Sequence, residues 1–364
     1  MKAIKRMGGG DRERVEFKTL GEVCEFYTGV QLNKNNMIKN GKYPVINGGI
    51  KPSGYTDKYN EDENTITIAQ GGSAGYVNFM TTKFWAGAHC YVIKPTYEGL
   101  KNRFLYFALK SQEWDIQNSK QGAGIPGLVR SHVASIKIPI PPLPIQEEIV
   151  KILDTFTELE GELEAELQLR QKQYKYYLNK LFKLYDDIEK IPLNEIAKIS
   201  RGKRVIKKQL TNGGIYPVYQ NSLTPMGYYN EYNSQANTTY IISAGSAGEI
   251  GYSNIDFWAA DDCLIFSDLK GIENKYIYYF LLTKQNFIRS NVWRAGIPRL
   301  SRTIIERLEI PIPPLEEQKR IVGILDKFDE LVNDISLGIP AEIQMRKKQY
   351  EYYRDKLLRF EEAL

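Results

Sequence analysis

The sequence is poor in the two residue types that most often bind metals in small domains. It contains three cysteines and two histidines among 364 residues, and no two cysteines have a Cys-x-x-Cys spacing. A zinc ribbon or finger is therefore excluded, and a disulfide framework is not expected. Long apolar runs are missing as well, so the sequence predicts neither a secretory signal nor a membrane span. We expect a cytoplasmic protein with no metal site and no membrane partner.

Signatures of a nucleotide-dependent enzyme are also missing. The sequence has no Gly-x-x-x-x-Gly-Lys-Ser/Thr phosphate loop and no Asp/Asn-Pro-Pro-aromatic motif of the kind found in base methyltransferases. Gly122, Gly124 and Gly127 match a Gly-x-Gly-x-x-Gly pattern, but a predicted helix precedes them and Pro126 interrupts them. A dinucleotide site needs a preceding strand and a following helix. The chain is therefore predicted to hold no cofactor of its own and to be non-catalytic alone.

The sequence does contain enough apolar residues for real cores and a small excess of positive charge. Hydrophobic residues make up 42%, and 49 Lys and Arg against 44 Asp and Glu give a formal net charge of +5. The length suggests two or three domains. The basic excess is consistent with a polyanionic partner but does not identify one.

An internal repeat decides the predicted architecture. Short words in the first half return in the same order in the second, most of them offset by 173 positions, including YPV at 43 and 216, GSAG at 72 and 245, and FWA at 84 and 257. The words AGIP at 123 and IPIPPL at 138 return with an offset of 172, at 295 and 310. A period this long indicates a tandem duplication of a whole domain with its tail rather than a solenoid.

Each repeat is predicted to consist of a globular part and a helical tail. The globular part alternates short β-branched runs with Gly and Asn turns, and one helix is expected near 103–117 and again near 275–288. After the double prolines, apolar residues recur every three or four positions, which predicts an amphipathic helix of about 40 residues. The predicted segments are an N-terminal arm at 1–14, a first recognition domain at 15–143, helix 1 at 144–186, a second recognition domain at 187–315 and helix 2 at 316–364, broken near 338–340 by Pro340.

This pattern predicts an α+β fold. Two similar globular α/β domains would be separated by an antiparallel coiled coil of two long helical segments, in a pseudo-twofold tandem repeat. The coiled coil is expected because an apolar stripe of that length exceeds the span of a domain of about 125 residues.

Basic loops suggest where a polyanion would bind. The segments around both AGIP words contain cations without acids, and a further basic run, KISRGKRVIKK, spans 198–208. A solvated surface is the usual explanation of one such run, but the AGIP loops are basic in both repeats. The candidates for phosphate contact are Lys120, Arg130, Arg201, Lys203, Arg204, Arg299 and Arg302.

Sequence-specific reading needs side chains that carry a donor and acceptor code. Suitable residues in the turns are Asn47, Gln70, Gln121, Gln220, Asn221 and Arg294. Tryptophans in such matched positions more often pack in a core than stack on bases, so Trp85 and Trp258 are expected to be structural. The matched Cys90 and Cys263 are expected to be buried.

The sequence segments at the start and end of the predicted tail helices resemble those of a known family. IPIPPLPIQEEIVKILD (138–154), IPIPPLEEQKRIVGILD (310–326) and RKKQYEYYRDKLL (346–358) resemble the specificity subunit of type I restriction–modification enzymes, over about residues 17–360. The resemblance implies two target-recognition domains that each read one part of a split double-stranded DNA target. It also implies two methyltransferase (modification) subunits docked on the chain, and motor-nuclease (restriction) subunits in the full complex.

The resemblance extends to cofactors and to a docking surface. S-adenosylmethionine, ATP and Mg²⁺ are expected on the partner subunits. The helices that carry KQYKYY and KQYEYY would face the modification subunits, which makes Tyr174, Tyr177, Tyr350 and Tyr353 candidate contacts.

Two other classes of function stay open at this point. A single-chain DNA-modifying enzyme would need a cofactor domain and would bind S-adenosylmethionine by itself. A purely structural adaptor that binds only protein would lack salt-sensitive retention on DNA.

Overall fold

The structure, a computed structural model, describes residues 14–120, 127–185 and 187–362. The chain divides into two compact units: unit 1 consists of Met1–Leu163 and Ile343–Leu364, and unit 2 of Glu164–Glu342. Each unit combines mostly antiparallel sheets with helices, which confirms the predicted α+β class. The units do not coincide with the repeats, because unit 1 takes its last segment from the tail of the second repeat.

Unit 1 is built around a four-stranded antiparallel sheet of order β2-β8-β5-β6, with smaller sheets β4-β3-β7 and β19-β1-β9. All five residues of the TITIA run are buried, as the β-branched pattern of a central strand predicts. The elements of the first repeat are β1 Arg14–Thr19, α1 Leu20–Val23, β2 Cys24–Thr28, β3 Tyr43–Ile46, β4 Gly54–Thr56, β5 Thr65–Ala69, β6 Val77–Met80, β7 Trp85–Ala86, β8 Cys90–Pro95, α2 Asn102–Ser111, α3 Glu113–Asn118, α4 Arg130–Ala134, β9 Lys137–Ile140 and α5 Leu143–Lys183.

Unit 2 repeats this plan with the sheet β11-β17-β14-β15 and the smaller sheets β13-β12-β16 and β10-β18. Its elements are β10 Lys190–Pro192, α6 Leu193–Ile196, β11 Lys198–Arg201, β12 Tyr216–Tyr219, β13 Tyr228–Tyr229, β14 Thr238–Ile242, β15 Ile250–Ser253, β16 Trp258–Ala259, β17 Cys263–Ser267, α7 Asn274–Thr283, α8 Gln285–Ser290, α9 Arg302–Glu306 and β18 Glu309–Pro311. The tail of the second repeat adds α10 Leu315–Asn333, α11 Ile339–Leu357 and β19 Glu361–Glu362.

The helix predicted inside each globular part is split into two. Gln112 separates α2 from α3 with φ −97° and ψ 4°, and Lys284 separates α7 from α8 with φ −95° and ψ 6°. These values lie outside the α-helical region. The prediction of one continuous helix was wrong at the same place in both repeats.

The first tail helix begins and ends close to the predicted residues 144 and 186, whereas the second ends at Leu357, before the predicted end at 364. Helix α5 is continuous over 41 residues, whereas the second tail is interrupted between α10 and α11. The interruption begins at Asp334, upstream of Pro340, because the Asp334 carboxylate accepts hydrogen bonds from the backbone N–H groups of Ser336 (2.6 Å) and Leu337 (3.0 Å). Pro340 lies in the first turn of α11, where its missing N–H costs nothing.

A buried glutamine fixes the start of each tail helix on its domain. Gln146 and Gln318 are fully buried. Gln146 accepts a hydrogen bond from Lys101 N at 2.9 Å and donates to Pro141 O at 2.7 Å. Gln318 accepts from Glu273 N at 2.9 Å and donates to Pro313 O at 2.8 Å. The two junctions are therefore equivalent, although the words around them, PIQEE and EEQKR, differ.

Within each unit, the helical segments run antiparallel. In unit 1, Phe156 of α5 stacks on Tyr353 of α11 with ring centroids 5.4 Å apart, and Glu160 pairs with Lys347 at 3.2 Å. In unit 2, Phe328 of α10 stacks on Tyr177 of α5 at 5.3 Å. Each unit thus contains the same Phe–Tyr stack, with the two rings supplied by different repeats.

Candidate nucleic-acid interface

Three loops meet at one end of the main sheet in unit 1, and backbone hydrogen bonds tie them together. Leu128 N donates to Gln70 O at 2.9 Å, Gln70 N donates to His89 O at 2.9 Å, and Ser73 N donates to Gly48 O at 2.9 Å. Gln70 follows β5 and His89 precedes β8, so both lie at the same end of the antiparallel sheet.

The same junction exists in unit 2. Leu300 N donates to Ser243 O at 2.8 Å, Ser243 N donates to Asp262 O at 2.7 Å, and Ser246 N donates to Asn221 O at 2.9 Å. The sheet end is therefore a fixed framework that carries different side chains in the two units.

The hairpin of the second AGIP word projects from this framework. The backbone N–H of Trp293 donates to Arg299 O at 2.8 Å, and the N–H of Arg299 donates back to Trp293 O at 2.9 Å. Gly296, with φ +87°, supplies the left-handed residue that turns the chain. We call residues Trp293–Arg299 the Trp293 hairpin.

Most cations near the Trp293 hairpin are exposed and have no carboxylate within ion-pair distance among the described residues. This holds for Arg289, Arg294 and Arg299. Arg302 differs, because its Nε lies 2.9 Å from Glu306 Oε1. The neighbouring carboxylate offsets the charge of Arg302, so Arg302 is a weaker candidate for phosphate contact than the other three arginines.

The basic run after β11 lies at the same end of unit 2. Arg201 pairs in register with Leu264 at the start of β17, and Gly202 N donates to Cys263 O at 3.0 Å. Arg201, Lys203 and Arg204 are exposed, while Gln220 is half-buried and Asn221 exposed at the end of β12. The structure therefore brings the second-repeat candidates together.

The first-repeat candidates are engaged more within their own unit. Asn47 Oδ1 accepts a hydrogen bond from His89 N at 3.2 Å, and Gln70 Nε2 donates to Tyr91 Oη at 3.0 Å. Arg130 donates to Phe26 O at 3.0 Å and lies over the Phe26 ring. Lys120 is exposed, and Gln121 lies outside the described residues.

Sequence reasoning missed two carboxylates at the sheet end of unit 2. Asp261 and Asp262 are half-buried and directly precede Cys263, whose carbonyl accepts a hydrogen bond from Gly202 of the basic run. Asp261 Oδ1 is buried and has no hydrogen-bond partner among the described residues. A carboxylate can accept a hydrogen bond from the amino group of cytosine. The sequence feature that could have revealed them is a difference between the repeats, because the first repeat has Ala88 and His89 at these positions.

The matched cysteines and tryptophans are structural. Cys90 and Cys263 are fully buried, and burial raises the pKa of both thiols to about 12, so they are poor nucleophiles at neutral pH. Trp85 and Trp258 each donate their indole N–H to a backbone carbonyl, that of Val30 at 2.7 Å and that of Lys203 at 2.9 Å.

The four tail tyrosines pack within their own units. Tyr174 packs on the core of unit 2 and Tyr350 on that of unit 1, where burial raises the pKa of both phenols. Tyr177 and Tyr353 form the Phe–Tyr stacks. The tail rings that face solvent are instead Tyr176 and Tyr352, which are 58% and 60% exposed.

No helix in the described ranges is both long and apolar enough to cross a membrane. Within those ranges, no group of three or more His, Cys, Asp or Glu residues could hold a metal ion.

Two copies of one α+β framework, each with polar loops at one sheet end and one with a cationic hairpin, define a tandem recognition protein. The chain belongs to the type I restriction–modification DNA specificity family. The family model described as "Type I restriction modification DNA specificity domain" matches it twice, at residues 12–169 and 185–345.

Known relatives agree with this assignment along nearly the whole chain. A putative type I restriction enzyme specificity subunit of Haemophilus influenzae is 34% identical over 390 residues, covering 95% of this chain and 96% of the relative. A type I restriction enzyme specificity subunit of Escherichia coli is 35% identical over 63% of this chain and 65% of its own length. The crystal structure of a type I restriction–modification S subunit from M. genitalium matches with a TM-score of 0.72 at 25% identity, covering 96% of this chain and 98% of that chain.

Proposed function

We propose that this specificity subunit recognises a split, asymmetric double-stranded DNA target, with one recognition domain for each half-site. The observation that carries the proposal is the shared loop framework at the sheet ends, on which the two repeats present different polar and charged side chains. A common framework with different side chains suits two readers with different sequence preferences.

The chemistry of the complex would reside on partner subunits. We propose that two modification subunits supply the S-adenosylmethionine site, that motor-nuclease subunits supply ATP and Mg²⁺ chemistry, and that this chain is non-catalytic alone. The tail helices would set the spacing between the half-sites and dock the modification subunits. Radiolabelled S-adenosylmethionine should bind the assembled complex and should not be retained by the isolated chain.

Exchange of one recognition domain tests the two-reader model. Residues 17–140 end before the Gln146 junction, so a foreign domain can replace them while the start of α5 is kept. Methylome sequencing of cells that express the hybrid with the modification subunits should show one changed half-site and one unchanged half-site. A change in both half-sites would contradict separate readers.

Salt dependence tests the cations of unit 2. Each phosphate contact that is lost should make the slope of log K against log salt shallower by about 0.9. The double variant Arg294→Ala/Arg299→Ala should show this change in the assembled complex, and Arg302→Ala should show less because Arg302 already pairs with Glu306. Lys319→Ala on α10 is the control, since Lys319 is exposed but lies outside the loop framework.

The exposed tail tyrosines are the better candidates for partner contact. We transfer the docking proposal from the four packed rings to Tyr176 and Tyr352. Tyr176→Ala and Tyr352→Ala should weaken co-purification of the modification subunits while leaving the fold intact. In contrast, Tyr177→Ala should lower stability because it removes the stack on Phe328.

A further inference from the structure

Trp293 is a large aromatic side chain held in solvent by a fixed backbone. It is 69% exposed, yet the neighbouring Val292 and the facing Leu300 are 7% and 2% exposed. Reciprocal hydrogen bonds between Trp293 and Arg299 close the base of the hairpin, and Gly245 N donates to Pro298 O at 3.1 Å. The exposure of the ring is therefore built into the framework and does not result from a frayed loop.

A second apolar side chain accompanies it at the turn. Ile297 is 64% exposed, and it stands beside the left-handed residue Gly296. Exposed Trp and Ile on one short hairpin form an apolar projection, and most of its surface is left uncovered by its own unit. Such a projection is typical of a surface that is completed by a partner.

The charges around the projection identify the kind of partner. Arg289, Arg294 and Arg299 surround it, and no Asp or Glu occurs from Arg289 to Ile305. Apolar side chains flanked by arginines are found where proteins insert a wedge between DNA base steps while cations hold the phosphates. A protein partner of such a hairpin would have to be acidic as well as apolar, whereas DNA offers phosphates beside stacked base pairs, which a wedge can part, along its whole length.

The other exposed tryptophan of the chain lies in the opposite electrostatic setting. Trp114 in α3 is 75% exposed, but it lies between Glu113 and Asp115. The first AGIP word has Gln121 where the second has Trp293, and Gly122 and Gly127 where the second has Arg294 and Arg299. The apolar and cationic combination is thus specific to the second repeat.

We propose that Trp293 inserts against a base step in the half-site read by unit 2, with Ile297 beside it in the groove and Arg294 and Arg299 on the adjacent phosphates. The insertion partly unstacks that step and adds an apolar contact that the first recognition domain lacks. This inference rests on the proposed function, because it requires that unit 2 bind a DNA half-site.

The test uses the full chain assembled with its modification subunits and a duplex that carries the target found by methylome sequencing. Trp293→Ala should weaken binding about tenfold or more, as expected for loss of one aromatic–base stack. Trp293→Phe should recover most of the affinity. The salt slope should stay unchanged in both variants, because no phosphate contact is removed. Trp114→Ala is the matched control and should bind as the unchanged protein does.

A second readout reports on the base step itself. 2-Aminopurine, placed in turn at adenines of the half-site other than the methylated one, should change its fluorescence at one position with the unchanged complex and keep the signal of the free duplex there with Trp293→Ala. Equal affinity of Trp293→Ala and the unchanged complex would overturn the inference. Loss of the modification subunits from Trp293→Ala would also overturn it, because the ring would then serve a protein contact. Failure of the unchanged complex to prefer any target would instead overturn the proposed function.

Discussion

The main sheets of the two units have the same register but place their large side chains at different positions. Across unit 1, Tyr27, Val92, Thr67 and Asn78 lie side by side on β2, β8, β5 and β6. The matching positions in unit 2, on β11, β17, β14 and β15, are Ser200, Ile265, Tyr240 and Gly251.

The tyrosine of this row lies on β2 in unit 1, whereas in unit 2 it lies on β14, which is two strands further across the sheet. In unit 2 the Tyr240 ring lies over Gly251, where any Cβ would clash with it, and it stacks on Tyr219 with centroids 4.9 Å apart. In unit 1 the Tyr27 hydroxyl donates instead to Glu61, which also pairs with Lys94 at 2.9 Å. The positions of Glu61 and Lys94 are held by Ser234 and Ser267 in unit 2.

This comparison shows what the duplicated fold requires. The backbone framework is the same in both units. The large side chain that packs along this row comes from β2 in unit 1 and from β14 in unit 2. Such compensation is typical of cores that keep total volume and pattern while individual residues change.

The largest effect is expected when Tyr240 of unit 2 is replaced by threonine, the residue at the matching position of unit 1, with no compensating change at Ser200. Tyr240→Thr removes a ring that is 3% exposed, and Ser200 cannot fill the space. We expect the free energy of unfolding of unit 2 to fall by about 3 kcal/mol or more, from lost burial and a residual cavity. Urea unfolding followed by hydrogen exchange of β14 measures it, and a loss below about 1 kcal/mol would contradict the compensation.

Adding the tyrosine of unit 1 at its own position sharpens the same test. Ser200→Tyr combined with Tyr240→Thr should recover part of the stability lost in the single variant. Recovery should be incomplete, because the new hydroxyl meets Ser234 where Tyr27 meets the carboxylate of Glu61.

A smaller effect is expected at the polar cluster of unit 1. Glu61 is 6% exposed, so Glu61→Ala leaves the Tyr27 hydroxyl and the partly exposed Lys94 without their acceptor. We expect a loss of about 1–3 kcal/mol in unit 1. Ser234→Ala at the matching position of unit 2 is the control and should cost less than half as much; equal losses would show that the carboxylate has no special role.

The smallest effect is a difference in alkaline stability. Burial raises the pKa of Tyr252 to about 12 and raises those of Tyr276 and Tyr278 further. The folded state therefore favours the neutral phenols, so their contribution is intact below pH 10 and is lost as the pH rises through the higher folded values. Unit 1 has fewer such phenols: burial raises the pKa of Tyr106 to about 12 and raises that of Tyr350 further.

We expect unit 2 to lose stability before unit 1 as the pH is raised above 10. Thermal unfolding between pH 8 and pH 11, with proteolytic protection followed separately for peptides of each unit, measures this loss. Tyr279→Phe should reduce the pH dependence, because burial and Asp326 raise the pKa of Tyr279. Parallel losses in the two units would contradict the assignment.

The sequence predicted the features that depend on local pattern. The repeated words predicted two equivalent α+β parts, and the spacing of apolar residues predicted α5. Tyr174 continues the three- and four-residue spacing of the apolar residues in this helix, so its packing on the core of unit 2 agrees with periodicity.

Features that depend on contacts between distant residues were not visible in the sequence. Nothing local marks Gln146 and Gln318 as buried, because their partners lie 45 positions away at Lys101 and Glu273. The exchange of Tyr27 for Tyr240 requires the strand register, and the exposure of Trp293 requires the hydrogen bonds that close the hairpin. Composition and periodicity carry no information about these tertiary contacts.

Unit 1 consists of two separate segments of the chain, and this affects the order in which the units can fold during synthesis. The core of unit 1 includes Ile149 and Leu153 of α5 together with Leu357 and Leu358 at the end of the second repeat, whereas unit 2 is a single continuous segment. A ribosome therefore delivers every residue of unit 2 before it delivers the last helix of unit 1. The recognition domain that is translated first is completed last, and until then its apolar helix face stays open to chaperones.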